Sequence, residues 1–233
     1  CERPITHTFG LYKGGQWLFY TLDGDQRYDA RFNWGPQEPG WQPVIGDWNG
    51  DGIDGIGLYK NGHWLLRSVD LFGNVVDIEF DFGDTLAGAV ALAGDWDGDG
   101  VDTVGLFQTG VAYLRNSNST GVADVVLSVG STTSVPIAGD WNGNGVDTVG
   151  LYESTTFSLA AQNSQLPPMQ ITFSFGPTDW QPLAGDWNDD GIDTIGIYNQ
   201  GLWRMRNSNA GGSVDVGFNY GNLEGGWQPV GNF

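Results

Sequence analysis

Cysteine and histidine are scarce in this chain of 233 residues. Cys1 is the single cysteine, so the chain cannot form an internal disulfide. The two histidines are His7 and His63, and the sequence contains neither a Gly-x-Ser-x-Gly nucleophile motif nor a phosphate-binding loop. These absences remove the most common arrangements for nucleophilic catalysis and phosphoryl transfer.

Basic residues are also few. Lys and Arg total 9 against 28 Asp and Glu, which gives a formal net charge of −19. Nucleic-acid binding depends on Lys and Arg side chains that neutralise phosphates. The composition therefore argues against a nucleic-acid partner.

Long apolar runs are missing, and no segment stands out with the 3.6-residue period of an amphipathic helix. The sequence therefore predicts no transmembrane helix. Short apolar segments separated by turn-forming residues are present instead, with 38 glycines and 13% aromatic residues. A chain of this length can form one all-β domain.

Four copies of one stretch organise the chain. They are GDWNGDGIDGIGLY (46–59), GDWDGDGVDTVGLF (94–107), GDWNGNGVDTVGLY (139–152) and GDWNDDGIDTIGIY (185–198). The first aspartates of successive copies are 48, 45 and 46 residues apart. A nearly fixed period in this range is typical of β-propeller blades or another repeat array.

Each copy has the oxygen pattern of a cation loop. Counted from the first aspartate, side-chain oxygens fall at positions 1, 3, 5 and 8, a glycine at position 6, and position 7 can add a backbone carbonyl. Ca²⁺ is bound by such oxygen-rich loops. Asp, Asn and Gly also favour ordinary turns, but four copies in one register favour four structural Ca²⁺ sites. The predicted ligands are Asp47, Asn49, Asp51, Ile53, Asp54, Asp95, Asp97, Asp99, Val101, Asp102, Asp140, Asn142, Asn144, Val146, Asp147, Asp186, Asn188, Asp190, Ile192 and Asp193.

The number of carboxylates differs among the four predicted sites. The second loop has four side-chain carboxylates at these positions, whereas the third has only Asp140 and Asp147. Affinity for Ca²⁺ follows ligand charge, so we expect the second site to bind tightest and the third to bind weakest. Four Ca²⁺ ions would add +8 and change the net charge from −19 to −11.

The pattern D-x-[DN]-x-[DN]-G-x-D followed by an apolar strand resembles the calcium loops of FG-GAP repeats in integrin α-chain propellers, although it closes one residue earlier. It is more similar still to bacterial secreted repeats of the form GDWDGDGxDTxGxY. The second half of those repeats resembles YLRNSNSTGVAD at 113–124 and WRMRNSN at 203–209. The resemblance covers nearly the whole chain and implies a calcium-binding β-propeller.

The two ends of the chain supply complementary parts of one further repeat. Gly10-Leu11-Tyr12 matches the strand that follows a loop, and residues 228–233 match the strand that precedes one. We therefore predict an all-β, five-bladed β-propeller of four-stranded blades, with the C-terminal strand completing the N-terminal blade. The single domain spans residues 1–233, with repeat units at about 1–35 plus 227–233, 36–83, 84–130, 131–176 and 177–226.

Strand positions and charge pairs follow from the repeat. The first complete blade predicts strands at 44–48, 55–60, 64–69 and 75–82, and the last strand of the next blade at 122–129. Aromatic residues that recur in the third strand and at position 2 of the loops are predicted to pack between sheets. Three cross-strand ion pairs are expected, Arg67–Asp77, Arg115–Asp124 and Arg206–Asp215.

A Trp-Gln-Pro triplet precedes the first strand of three blades, on the face opposite the calcium loops. Aromatic planes stack on sugar rings and amides bond to hydroxyls, so these residues are candidates for a carbohydrate-binding surface. The alternative is that the tryptophans fill gaps between neighbouring blades. The candidates are Trp41, Gln42, Trp180, Gln181, Trp227 and Gln228.

The leading functional hypothesis is a non-catalytic binding module, secreted or held at the cell surface. It is expected to be monomeric, with a glycan or surface protein as partner. Cys1 fits the lipid-bearing residue of a bacterial lipoprotein or an arbitrary boundary of the sequence. One alternative is a hydrolase or lyase acting on polysaccharide at the channel mouth, for which paired carboxylates would be needed. Another is a structural adhesion or spacer domain of a larger protein.

Overall fold

The computed structural model describes residues 8–21, 28–70, 72–163, 171–220 and 225–231. Predictions that concern Cys1, His7, Asn232 and Phe233 lie outside these residues. The described part of the chain consists of strands and turns without a helix. It accordingly offers no helix of the length and hydrophobicity needed to cross a membrane.

The described residues form β-strands of three to seven residues. In chain order they are β1 (Thr8–Lys13), β2 (Gln16–Thr21), β3 (Tyr28–Asn33), β4 (Gln42–Gly46), β5 (Gly55–Lys60), β6 (His63–Val69), β7 (Val75–Asp81), β8 (Val90–Gly94), β9 (Thr103–Gln108), β10 (Val111–Leu114), β11 (Val125–Ser128), β12 (Val135–Gly139), β13 (Thr148–Glu153), β14 (Thr156–Leu159), β15 (Ile171–Ser174), β16 (Gln181–Gly185), β17 (Thr194–Asn199), β18 (Leu202–Met205), β19 (Val216–Asn219) and β20 (Gln228–Val230).

These strands form five four-stranded antiparallel sheets, so the predicted five-bladed β-propeller is confirmed. Blades 1 to 4 are β4–β7, β8–β11, β12–β15 and β16–β19, and the closing blade has the order β20-β1-β2-β3. The first strands contact one another in a closed ring, from β4 through β8, β12, β16 and β20 back to β4. They therefore line the central axis.

The C-terminal strand completes the N-terminal blade, as predicted. In β20, Val230 pairs with Gly10 and Gln228 pairs with Tyr12 of β1. Closure gives the N-terminal blade the same four-stranded sheet as the other blades, and β20 covers the edge of β1 that would otherwise be open to association with another strand.

The core lies between neighbouring sheets. Aromatic residues of the third strands are fully buried in four blades, at Trp17, Trp64, Phe157 and Trp203. The tryptophans at position 2 of the loops, including Trp48 and Trp96, are also buried. The packing prediction for these residues is confirmed, and burial of each large side chain contributes about 1.5–3 kcal/mol to stability.

Glycine in the second strand is required by this packing. A Cβ added at Gly57 would lie 2.7 Å from both Leu66 Cδ2 and Val44 Cγ2, and 3.2 Å from Trp48 Cζ2. The equivalent Gly105 meets Leu114 and Trp96 in the same way. Because the loop tryptophan lies over this position, only glycine leaves room for it.

Two predicted strands differ clearly from the observed ones: the first strand of blade 1 covers Gln42–Gly46 rather than 44–48, and the last strand of blade 2 is shorter than predicted. The last strand of blade 2 covers Val125–Ser128 rather than 122–129, because the preceding residues fold around the buried Arg115. The guanidinium donates to Val122 O at 2.5 Å, Ser117 Oγ at 2.8 Å and Asp124 Oδ2 at 3.0 Å. The Arg115–Asp124 pair therefore closes a turn.

The two other predicted ion pairs also form. Arg67 and Asp77 are direct partners on β6 and β7 and are joined by two hydrogen bonds of 2.6 Å. Arg206 Nη1 lies 2.8 Å from Asp215 Oδ2. Asp215 lies just before β19, so this pair closes a turn as the Arg115 pair does.

Candidate metal centre

Loops 1 to 4 (residues 47–54, 95–102, 140–147 and 186–193) join the first and second strands of blades 1 to 4. In loop 1 the Asp47 carboxylate organises the turn. Its Oδ1 accepts hydrogen bonds from Gly50 N at 2.8 Å and Asp51 N at 3.2 Å, and its Oδ2 accepts one from Gly52 N at 2.7 Å. The first aspartate thereby folds the loop around its own carboxylate.

The same turn forms in the other three loops. The position-6 amide donates to Oδ2 of the first aspartate in each, at 2.8 Å for Gly100, 2.6 Å for Gly145 and 2.7 Å for Gly191. The position-7 amide donates to the position-5 side chain, as Ile53 N does to Asp51 Oδ1 at 2.9 Å. Sequence repetition is thus matched by one repeated hydrogen-bond pattern.

Position 4 needs a left-handed backbone conformation, which explains its glycine. Gly50, Gly98 and Gly143 have φ between 71° and 78°. Loop 4 carries Asp189 at this position with φ 62°. A non-glycine residue there is strained, although Asp tolerates this region better than most.

Positions 1, 3 and 5 converge on one another. In loop 2, ligand atoms of Asp95, Asp97 and Asp99 all lie within 4.8 Å of each other. In loop 1, Asn49 Nδ2 lies 3.0 Å from Asp51 Oδ2. Partial desolvation, followed by the charges of Asp99 and Asp95, raises the pKa of Asp97 above its ordinary value. A cation among these oxygens would relieve that repulsion.

This donor set fits Ca²⁺. The oxygens are hard ligands, they include carboxylates and amides, and they lie in a flexible turn with exposed positions 3 and 5. Sulfur and imidazole are absent from all four loops, which disfavours softer transition metals. The side chains at positions 1, 3 and 5 would hold the ion. Coordination by the position-7 backbone carbonyl stays a prediction.

The position-8 aspartates lie at the boundaries between blades. Asp102 Oδ2 accepts a hydrogen bond from Asp47 N at 2.7 Å, and Asp102 N donates to Asp47 O at 2.9 Å. Asp147 makes the same pair of bonds with Asp95. In loop 2 the cluster of three mutually close carboxylates does not include Asp102. Ligation of Ca²⁺ by position 8 stays a prediction.

The position-8 carboxylates influence one another electrostatically. Burial, followed by the charges of Asp102, Asp47 and Asp193, raises the pKa of Asp54 to about 8. Burial is also the main cause that raises the pKa of Asp102 to about 6 and that of Asp193 to about 7. It raises the pKa of Asp147 well above its ordinary value. Burial and mutual repulsion therefore disfavour the ionised form of these four side chains at the loop end of the ring.

Sequence reasoning missed an asparagine in the turn between the third and fourth strands. Asn118 donates to Asp102 O at 2.8 Å, Asn163 to Asp147 O at 2.6 Å and Asn209 to Asp193 O at 2.8 Å. Each fixes the backbone of a position-8 aspartate. The recurrence of Asn 16 positions after the position-8 aspartate was the available signal.

The Trp-Gln-Pro triplets divide into structural and more accessible members. Trp41 is 7% exposed, and Gln42 bridges to blade 2 by donating to Ala89 O at 2.8 Å and accepting from Ala91 N at 3.0 Å. Gln228 Nε2 donates to Trp41 O at 3.0 Å. Trp41 packs between the closing blade and blade 1, among residues such as Trp17 and Leu58, which agrees with the alternative in which the tryptophans fill gaps between neighbouring blades.

The remaining triplet residues have more open surroundings. Trp180 and Trp227 are half-buried, and Gln181 is exposed. Lys13 Nζ lies 5.8 Å from the centre of the Trp227 ring and donates to Gly225 O at 3.0 Å. The six candidates thus do not present one uniform surface.

The first strands line a cavity of about 130 Å³ on the central axis. Its described lining comes from Pro, Val, Ile, Leu, Ala and Gly residues, such as Ile45, Leu92 and Leu183, and contains no carboxylate. Glycoside hydrolysis needs two carboxyl groups flanking the scissile bond. The cavity itself therefore does not supply the chemistry of the enzymatic alternative.

The fold and the repeated loops define the class of protein as a five-bladed β-propeller with acidic loops on one face. No protein-family model matches the chain. A search of curated proteins likewise gave no match. The resemblance to FG-GAP repeats therefore stays a prediction.

Proposed function

We propose that this chain is a calcium-stabilised, non-catalytic binding module that works outside the cell or at its surface. One observation carries the proposal. Four loops in identical register share one turn, in which the first aspartate accepts the position-6 amide, and in loop 2 three carboxylates lie within 4.8 Å. Such a turn brings oxygens together, and in the part of the chain that the structure describes no Lys, Arg or His forms an ion pair with the loop carboxylates.

Calcium would act here by removing repulsion. Each loop connects the strand that lines the axis to the next strand of the blade, so its conformation affects the centre of the ring. At a net charge of −19, packing of acids at one face opposes folding. Loops of this type bind with affinities that suit the calcium-rich extracellular space.

Thermal unfolding with and without calcium tests this role. Calcium should raise Tm in a concentration-dependent way, since a ligand that binds only the native state stabilises it. Removal with a chelator should lower Tm, and Mg²⁺ should replace Ca²⁺ poorly because it demands octahedral geometry. The control variant is Asp84→Asn, which removes an acid outside the loops and should keep the difference in Tm between calcium and chelator. A Tm that is equal in calcium and chelator would contradict the proposal.

Carbohydrate recognition is the second candidate, and it now rests on the accessible triplet. Trp180 is half-buried and packs against the core between blades 3 and 4, whereas its neighbour Gln181 is exposed, so part of the indole and the amide are both accessible to a ligand. A glycan array should show binding that Trp180→Ala abolishes. Gln42→Ala is the control, because that amide is engaged by blade 2. An array with no binding by the native protein would remove this candidate.

A further inference from the structure

Three blade boundaries share one pair of hydrogen bonds, which we term the boundary pair. It joins position 1 of one loop to the position-8 aspartate of the next blade. At the first boundary, Asp47 N donates to Asp102 Oδ2 at 2.7 Å and Asp102 N donates to Asp47 O at 2.9 Å. The next two pairs are Asp95 with Asp147 and Asp140 with Asp193, with distances of 2.7 to 2.9 Å.

The direction of the position-8 side chain follows from the strand that begins after it. Thr103, at the start of β9, points its hydroxyl into its own blade and donates to Arg115 O at 2.8 Å. Successive side chains of an extended segment point to opposite sides. Asp102 therefore points out of its own blade, and the boundary pair shows it meeting loop 1.

Asp47, the first aspartate of loop 1, thus has two roles. Its carboxylate holds the turn and is a predicted ligand, whereas its backbone N–H and C=O belong to the boundary pair. Asn118 secures the other partner by donating to Asp102 O at 2.8 Å. Anything that fixes Asp47 also fixes the boundary with blade 2.

We propose that each position-8 aspartate is a positioning residue for the calcium site of the preceding blade, and that calcium bound in one loop secures the boundary with the next blade. The inference rests on the proposed calcium function and deepens it. It assigns Asp102 to loop 1, Asp147 to loop 2 and Asp193 to loop 3. Among the described residues Asp54 has no boundary pair.

The position-6 glycines allow each site to be observed separately. Gly52 N donates to Asp47 Oδ2 at 2.7 Å and Gly100 N to Asp95 Oδ2 at 2.8 Å, so each amide resonance reports on one loop. Calcium titration of the ¹⁵N-labelled full chain should shift both resonances. In Asp102→Asn the midpoint for Gly52 should rise about tenfold, as is usual when a residue that orients a ligand is replaced. The midpoint for Gly100 should not change.

Asp54→Asn is the matched control. If position 8 served its own loop, Asp54→Asn would raise the calcium midpoint for Gly52. In the same case Asp102→Asn would raise the midpoint for Gly100. Either result would overturn the inference. Equal weakening of both glycines in Asp102→Asn would also overturn it, as a general loss of structure. Asp147→Asn repeats the test one blade on and should weaken the response of Gly100 alone. If calcium moves no glycine resonance in the native protein, the proposed calcium function itself fails.

Discussion

The metal-free protein should lose stability as pH rises from mildly acidic to mildly alkaline values. Asp193 illustrates the reason, because its pKa is raised from 3.8 to about 7. Burial is the largest cause, and the charges of Asp140, Asp186 and Asp102 add to it. One backbone hydrogen bond from Asp140 acts in the opposite direction and lowers the pKa. Between those two values the native state holds a proton that the unfolded chain has released. The native state therefore binds more protons, and the free energy of unfolding decreases with pH.

The size of this loss follows from the same pKa values. The difference between 3.8 and about 7 for Asp193 corresponds to ~4 kcal/mol. Part of the side chain remains accessible, and solvent screening reduces the expected loss to about 2–4 kcal/mol. Urea unfolding in the presence of a chelator, at a series of pH values from 4 to 8, measures it.

Two controls connect the effect to these carboxylates. Asp193→Asn should flatten the pH dependence, because the amide cannot ionise. Saturating calcium should also flatten it, because a nearby cation favours the charged form of the acids. Constant or increasing stability of the metal-free protein over this pH range would refute the reasoning.

Three further predictions concern single positions. Asp189→Gly should raise the free energy of unfolding by about 0.5–1 kcal/mol in urea denaturation, because glycine adopts the left-handed conformation without strain; a loss of stability would contradict this. Gln42→Ala should lower it by about 1–3 kcal/mol, because two backbone groups of blade 2 lose their partner, whereas Gln181→Ala should change it little; equal effects would refute the bridging role. In calcium titrations followed by amide resonances, Gly100 should respond at lower calcium than Gly145, since loop 2 has four carboxylates and loop 3 has two; the reverse order would contradict the ranking.

Sequence periodicity was sufficient for the architecture. The repeated stretch placed β5 at its observed bounds, Gly55–Lys60, and the matching ends predicted the pairing of β20 with β1. These features depend on local spacing, which a single sequence contains. Strand ends that depend on the contacts of one side chain were predicted less accurately, as the turn around Arg115 shows for β11.

The relation between blades was the part that sequence could not supply. Spacing within a loop shows that Asp102 is position 8 of loop 2, but not which blade its carboxylate meets. Its bonds to Asp47 join residues 55 positions apart in the chain. The bridging role of Gln42 was missed for the same reason, because its partners Ala89 and Ala91 belong to the next blade.

The number of calcium ions bound by each chain tests the central claim most directly. Equilibrium dialysis against calcium, followed by elemental analysis, should give four ions per chain, one for each acidic loop. Replacement of Asp95 with Asn should reduce the count, because that residue holds the turn of loop 2. A native protein that retains no calcium, or a variant that retains the full number, would contradict the account.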